Sequence, residues 1–178
     1  RYSSIQRGSV CVPETPSRRS ALSGASASHD LIQERTDLCL HRIYGPIDGI
    51  GVELPMQANR TAGSDDWHAL WLAPGEWLLD GDVPELAAKM DAGGVAATDL
   101  SHARVVFRIP AALARDILVK GCPLDVREEI FPPGHCAQSV MAGVAILIHH
   151  LSDGAHMDIY VARSYGRFMQ DWLLDAAG

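Results

Sequence analysis

The chain has 178 residues, enough for one domain or for two small lobes sharing a core. A net charge of −7 and a pI near 5.5 argue against a binder of phosphate backbones, whose affinity rests on clustered Lys and Arg. The longest apolar run, residues 140–148, is less than half of the roughly 20 residues a spanning helix needs, so no membrane segment is expected.

The first thirty residues are Ser-rich, with Pro13, Pro16 and the pair Arg18-Arg19. They hold too little apolar surface to offset the entropy of ordering a chain. Residues 1–37 are therefore expected to be a flexible N-terminal arm, with ordering on a partner left open; a targeting peptide is the alternative reading. The absence of an initiator Met suggests that residues precede Arg1, and no apolar signal-peptide core follows it. The folded unit is expected over 38–178.

Residues 38–44 read as a strand, followed by a Gly-rich stretch to Gly51 and a short strand at 52–54. Residues 57–66 are polar and predict a loop. Strands at 68–72 and 76–79 flank the turn dipeptide Pro74-Gly75, which makes a hairpin. Residues 84–90 predict a short helix with Pro84 in its first turn, where a missing N–H costs nothing. Residues 95–109 predict one long extended stretch, bent near Ser101.

Pro110 opens a helix over 111–120, with an apolar stripe of Leu113, Ile117 and Leu118 beside Ala114. Lys120 falls in its last turn and Gly121 is placed as a left-handed cap. Residues 122–135 form an irregular connection. Strands at 136–141, 144–150 and 156–161 then predict a three-stranded antiparallel meander. Ser164 is expected to cap a final amphipathic helix. Tyr165, Phe168, Met169, Trp172 and Leu173 share one face of it. The fold class is α+β, antiparallel sheets with flanking helices.

The search for chemistry finds little. His149, His150, His156 and His135 lie near one another in the sequence, yet adjacent strand residues point to opposite faces, and no metal-ligand spacing is present. Ser101-His102 fails as a dyad for the same reason. The glycines between Gly45 and Gly51 match no phosphate-binding loop. The carboxylate pairs Asp65-Asp66 and Glu128-Glu129 read as solvated surface. The cysteines Cys11, Cys39, Cys122 and Cys136 include no CxxC pair and read as reduced thiols of a cytoplasmic protein. A thiol- or metal-dependent activity built on Cys122, Cys136 and His135 is the weakest alternative. Exposed apolar features are more promising. Trp71 and Trp77 are assigned to the core. Trp67, Phe131, Pro132 and Pro133 are the candidate partner-interface residues, because aromatic side chains in loops anchor interfaces.

Several segments carry a family resemblance in their order and spacing. They are Leu54-Pro55 with Asn59-Arg60, then Ala73-Pro74-Gly75-Glu76-Trp77, and Asp99-Leu100-Ser101-His102-Ala103-Arg104. After these come Lys120-Gly121-Cys122-Pro123-Leu124-Asp125, Phe131-Pro132-Pro133-Gly134-His135-Cys136 and Tyr160-Val161-Ala162-Arg163-Ser164-Tyr165. Together they resemble the gamma subunit of heterotetrameric sarcosine oxidase over residues 38–176. Gly75 stands where that family tends to be acidic, and Ala103 where it tends to have Gly. The resemblance implies a fold similar to the folate-binding aminomethyltransferase (T-protein) domain. It implies a complex that demethylates sarcosine oxidatively to glycine, with tetrahydrofolate taking the one-carbon unit. The alpha, beta and delta subunits would be the partners, chiefly alpha, and they would carry FAD, FMN, NAD and zinc. This chain would hold no cofactor, no metal and no catalytic residue, and would bind neither nucleic acid nor membrane. A stand-alone folate-binding or aminomethyltransferase-like module is the alternative.

Burying the apolar face of the last helix is worth about 1.5–3 kcal/mol per large side chain, against a net stability of about 5–15 kcal/mol for a whole domain. Deletion of residues 164–178 is therefore expected to prevent folding. Truncated protein that melts cooperatively in calorimetry would refute this.

Overall fold

A computed structural model describes residues 20–22, 30–45, 52–83, 86, 88 and 96–178. Among the described residues, ten strands form two five-stranded antiparallel sheets. Sheet A has the order β1-β7-β10-β9-β8, from β1 (Gln33–Glu34), β7 (Arg104–Pro110), β8 (His135–Met141), β9 (Val144–His150) and β10 (His156–Ala162). Sheet B has the order β3-β4-β5-β2-β6, from β2 (Leu40–Tyr44), β3 (Thr61–Gly63), β4 (Trp67–Ala73), β5 (Glu76–Gly81) and β6 (Ala96–Asp99). Helix α1 (Ala111–Leu118) follows β7, and α2 (Gly166–Ala177) ends the chain after a 3-10 turn at Arg163–Tyr165.

Strand alternation sorts the side chains into layers. On sheet A, Phe107, Ile109, Ile148 and Ile159 face α1 and α2 and meet Ile117, Leu118, Met169 and Leu173. The opposite face presents Val106, Leu147, Tyr160 and Cys136 to Leu40, Leu70 and Leu78 of sheet B. Ile43, Ala69, Trp77 and Leu79 line the outer face of sheet B, under Leu54, Val83 and Leu86. Sheet A is thus covered on both faces, which explains why β7, β9 and β10 read as nearly unbroken apolar runs. The meander β8-β9-β10 forms as expected. Its first turn has Ala142 at φ 50° and Gly143 at φ 81°, the two positive values that a tight two-residue hairpin demands.

Several expectations are corrected. Residues 30–37 are not part of an arm: β1 pairs with β7, and Ile32 is buried against the core. The rest of the expected arm, 1–19 and 23–29, lies outside the described residues, as do 46–51 and most of the helix expected at 84–90, of which Leu86 and Ala88 are helical. Residues 52–54 form no strand; Leu54 is buried as a loop residue, and the Pro55 carbonyl accepts the Trp77 indole N–H at 2.8 Å. The polar stretch 57–66 contains edge strand β3. The single extended stretch at 95–109 is two strands, β6 and β7, in different sheets. A turn at 101–103 divides them, held where Asp99 accepts the Ser101 N–H at 2.8 Å.

The helix ends also differ from expectation. Ser164 makes no cap hydrogen bond. Lys120 lies beyond the end of α1 and donates instead to the Ala176 carbonyl at 2.5 Å, where its charge favours the end of α2. Gly121 is not left-handed. Its lack of a side chain admits the Trp172 ring, since a Cβ there would stand 2.4 Å from the ring's Cζ2. On α2, Gly166, Met169, Leu173 and Ala176 are buried, whereas Tyr165 and Phe168 are 50% and 47% exposed. The 3-10 turn rotates Tyr165 off the buried face. A Cβ at Gly121 would displace the Trp172 ring from its place against the core, so Gly121→Ala should destabilise the protein by about 1–3 kcal/mol. A urea midpoint unchanged from wild type would show that the ring has room to move.

Candidate functional site

The inter-sheet layer is apolar at one end and charged at the other. Register determines the charged end: Asp158 lies across from Arg108 on one side and from His149 on the other, all on the face turned toward sheet B. From sheet B, β5 brings Asp80 against them. Both aspartates are 1% exposed. Arg35, one residue past β1, donates through Nη1 to Asp80 at 2.6 Å and to Asp158 at 3.0 Å, and through Nη2 to Asp80 at 3.2 Å. Arg108 makes a two-pronged bond to Asp158, at 2.8 Å from both Nε and Nη2. The Tyr160 hydroxyl donates to Asp80 at 2.5 Å. Two cations and two anions thus neutralise one another between the sheets.

Burial works against the Arg35 charge, but the charge and hydrogen bonds of Asp80 outweigh it and hold the guanidinium above its ordinary value. Hydrogen bonds to Asp158 do the same for Arg108, against burial. Burial, and then the charges of Asp80 and Asp158, push the Tyr160 phenol well up, so it stays a donor. His68 and His149 complete this end, ring against ring at 4.9 Å and 70°. Neither ring nitrogen of His149 has a hydrogen-bond partner. Burial, then the neighbouring His68, lowers His149 to about 3. Burial also lowers His68.

The charged end opens into a cleft of about 1070 Å³. Arg35, Asp80, Arg108 and His68 line it, with exposed carboxylates of Asp37, Asp65, Asp66, Asp82 and Asp153 at its rim. Strong acid excess at the rim favours cations and repels anions.

The residues singled out from the sequence are scattered elsewhere. Phe131 is 4% exposed, stacked on His150 at 6.2 Å, and is a core residue, not an open anchor. Pro132 is half-buried and Pro133 exposed beside it. Trp67 is half-buried against the outer face of sheet B. His149 and His150 do point to opposite faces, with His150 hydrogen-bonded through Nδ1 to the Phe131 carbonyl at 3.0 Å. No group of three His, Cys, Asp or Glu side chains among the described residues is arranged to hold a metal ion. The Cys136 thiol donates to the carbonyls of Arg60 and Trp71, each at 3.4 Å, and burial pushes it up to about 12. Cys122 is buried and contacts Ser139 at 3.3 Å. Ser101 lies in a turn, where its hydroxyl accepts the Leu40 N–H at 2.9 Å.

Sequence reasoning missed Arg35, Asp80, Arg108 and Asp158. A signal for three of them was present: Asp80 after Leu78-Leu79, Arg108 between Phe107 and Ile109, and Asp158 between Met157 and Ile159 each interrupt an apolar run. A charge at such a place is buried and demands a partner.

His149 gives this site a pH dependence of known sign. Its folded value of about 3 lies below the ordinary 6.5, so on acidification the unfolded chain takes up the proton first. Stability is complete above the ordinary value and falls as the pH drops from there toward the folded value. By pH 5 the loss is about 2 kcal/mol. His149→Leu should lose that portion of the pH dependence, and should be stabilised at pH 5 relative to wild type. Parallel urea titrations at pH 7 and pH 5 measure it; equal losses in both proteins would contradict the assignment.

Comparison with known proteins agrees with this architecture. A family model described as the sarcosine oxidase, gamma subunit family matches residues 45–178. No curated protein gives a significant match. Among solved structures, the chain is similar to one from the heterotetrameric sarcosine oxidase of Corynebacterium sp. U-96, determined in complex with pyrrole 2-carboxylate. The TM-score is 0.76 at 22% identity, covering 90% of this chain and 94% of that chain. Identity that low is a likeness of fold, two antiparallel sheets with a C-terminal helix. No helix among the described residues is long and apolar enough to cross a membrane. On the span of the family match, the chain belongs to the sarcosine oxidase gamma subunit family.

Proposed function

We propose that this chain is the non-catalytic gamma subunit of a heterotetrameric sarcosine oxidase-type complex, docked on the large folate-binding alpha subunit. The observation that carries the reading is the family match over three-quarters of the chain. The charged end of the inter-sheet layer supports it. Arg35, Arg108, Asp80 and Asp158 are engaged with one another across the two sheets, the arrangement of a structural clamp. The Cys136 thiol is also too deeply buried to be readily ionised, as a nucleophile must be. On this reading the other subunits hold the flavins, the nicotinamide dinucleotide and the zinc, and tetrahydrofolate is the one-carbon acceptor. The complex is placed in the cytoplasm, which agrees with the unbridged thiols of Cys39, Cys122 and Cys136. On this reading the folded unit begins ahead of residue 38, because Gln33 and Glu34 pair with β7 in sheet A.

The size of the cleft favours a second reading, a stand-alone folate-binding module, since small-molecule sites run to roughly 1,000 Å³. Its charge opposes that reading. A reduced folate carries carboxylates, and the rim acids would repel them.

Co-expression with the neighbouring oxidase subunits tests the proposal. The chain should co-purify with them, and the purified chain alone should produce no peroxide from sarcosine. A fully active complex lacking this chain would overturn the proposal. Titration of the isolated chain with a reduced folate should show no saturable binding at micromolar concentration; saturation there would favour the second reading.

A further inference from the structure

Charge is divided unevenly along this chain. Residues 1–19 carry four arginines, Arg1, Arg7, Arg18 and Arg19, against the single acid Glu14. Residues 20–178 carry 11 Lys and Arg against 21 Asp and Glu. A basic segment joined to an acidic body is drawn to it, most strongly where the body concentrates its acids.

That place is the cleft beside Arg35, bordered by Glu34, Asp37, Asp65, Asp66, Asp82 and Asp153. The cations facing it are already engaged. Arg35 and Arg108 are held by Asp80 and Asp158, and Arg35 Nε lies a further 3.9 Å from Asp37. His156 lies 3.9 Å from Asp153, and burial disfavours the charged form of His68. Lys120 is occupied at the end of α2. Among the described residues, no cation pairs with Asp65, Asp66 or Asp82. Nor are any three acids or histidines among them arranged to hold a metal ion. Several guanidinium groups strung along an extended segment fit such a rim better than one compact cation.

The chain itself delivers that segment to the cleft. Ser20, the next residue, donates its hydroxyl to Glu34 Oε2, and Leu22 is buried in the core just after it. The other carboxylate oxygen of Glu34 is buried with no hydrogen-bond partner among the described residues. Glu34 belongs to β1, the edge strand of sheet A that borders the cleft, so Arg18 and Arg19 begin beside its wall. A fully extended segment of this length reaches roughly 60 Å, ample to follow the rim. Tethering presents it at an effective concentration of about millimolar. We infer that the arginine-bearing segment 1–19 docks in the acidic cleft of its own chain, its guanidinium groups pairing with Glu34, Asp65, Asp66 and Asp82. The inference does not depend on the subunit reading.

The test uses the full chain. Tryptic cleavage after Arg7, Arg18 and Arg19 should be slow in wild type at low salt and about tenfold faster in Asp65→Asn/Asp66→Asn/Asp82→Asn, since proteolysis follows the population of the open form. All three aspartates are exposed, so this variant should keep a cooperative urea transition. Charge reversal adds a second readout. Arg18→Glu/Arg19→Glu should speed amide exchange at residues 63–66, and adding Asp65→Arg/Asp66→Arg should slow it again. Equal cleavage rates in wild type and the aspartate variant overturn the inference, as does charge reversal without rescue. Protection that rises with protein concentration would assign the cleft to the segment of a second copy. Protection that appears only with co-expressed oxidase subunits would assign it to a partner. Either result overturns docking within one chain.

Discussion

Arg35 holds the two sheets together at their charged end. Its guanidinium bonds to Asp80 of sheet B and to Asp158 of sheet A, both nearly inaccessible to water. Removing two carboxylates from water costs several kcal/mol each unless cations and hydrogen bonds replace the solvent. Arg35 and Arg108 supply the cations and Tyr160 a further donor. Such a cluster contributes little net stability compared with apolar packing, but removing one member leaves a buried charge unanswered and is strongly destabilising. It therefore ties the two sheets to one relative placement. It also ties down the segment around β1, because the residue that bridges the sheets sits just past that strand.

The layers follow from this placement. Apolar contacts among Leu40, Leu70, Leu78, Val106 and Leu147 fill the rest of the space between the sheets. The other face of sheet A receives α1 and α2, with Gly121 and Gly166 allowing Trp172 and Val105 to come close. Among the described residues, an acid-rimmed cleft opens at the charged end, and Tyr165 and Phe168 stay half-exposed beside α2.

Strand positions were legible in the sequence wherever alternation or turn residues were strong. The hairpin around Pro74-Gly75 and the meander broken at Ala142-Gly143 appear close to where their residues put them. Helix α1 is equally plain, opened after Pro110. The short edge strand β3 left no trace, because Thr61, Ala62 and Gly63 gain strand geometry only from pairing with β4. The split of 95–109 was half visible as a bend at Ser101; that its two parts enter different sheets was not.

The sequence by itself determined the fold class, most of the strands and the family, since these rest on local periodicity, turn chemistry and the order of short segments. Only the tertiary structure decided which charges are buried together, because Arg35, Asp80 and Asp158 lie 45 to 123 positions apart and meet through strand register and sheet packing. It also decided that Phe131 is core and Phe168 exposed. Helical spacing shows which side chains share a face. Which part of that face meets sheet A depends on how the preceding turn and the neighbouring helix set the rotation of α2.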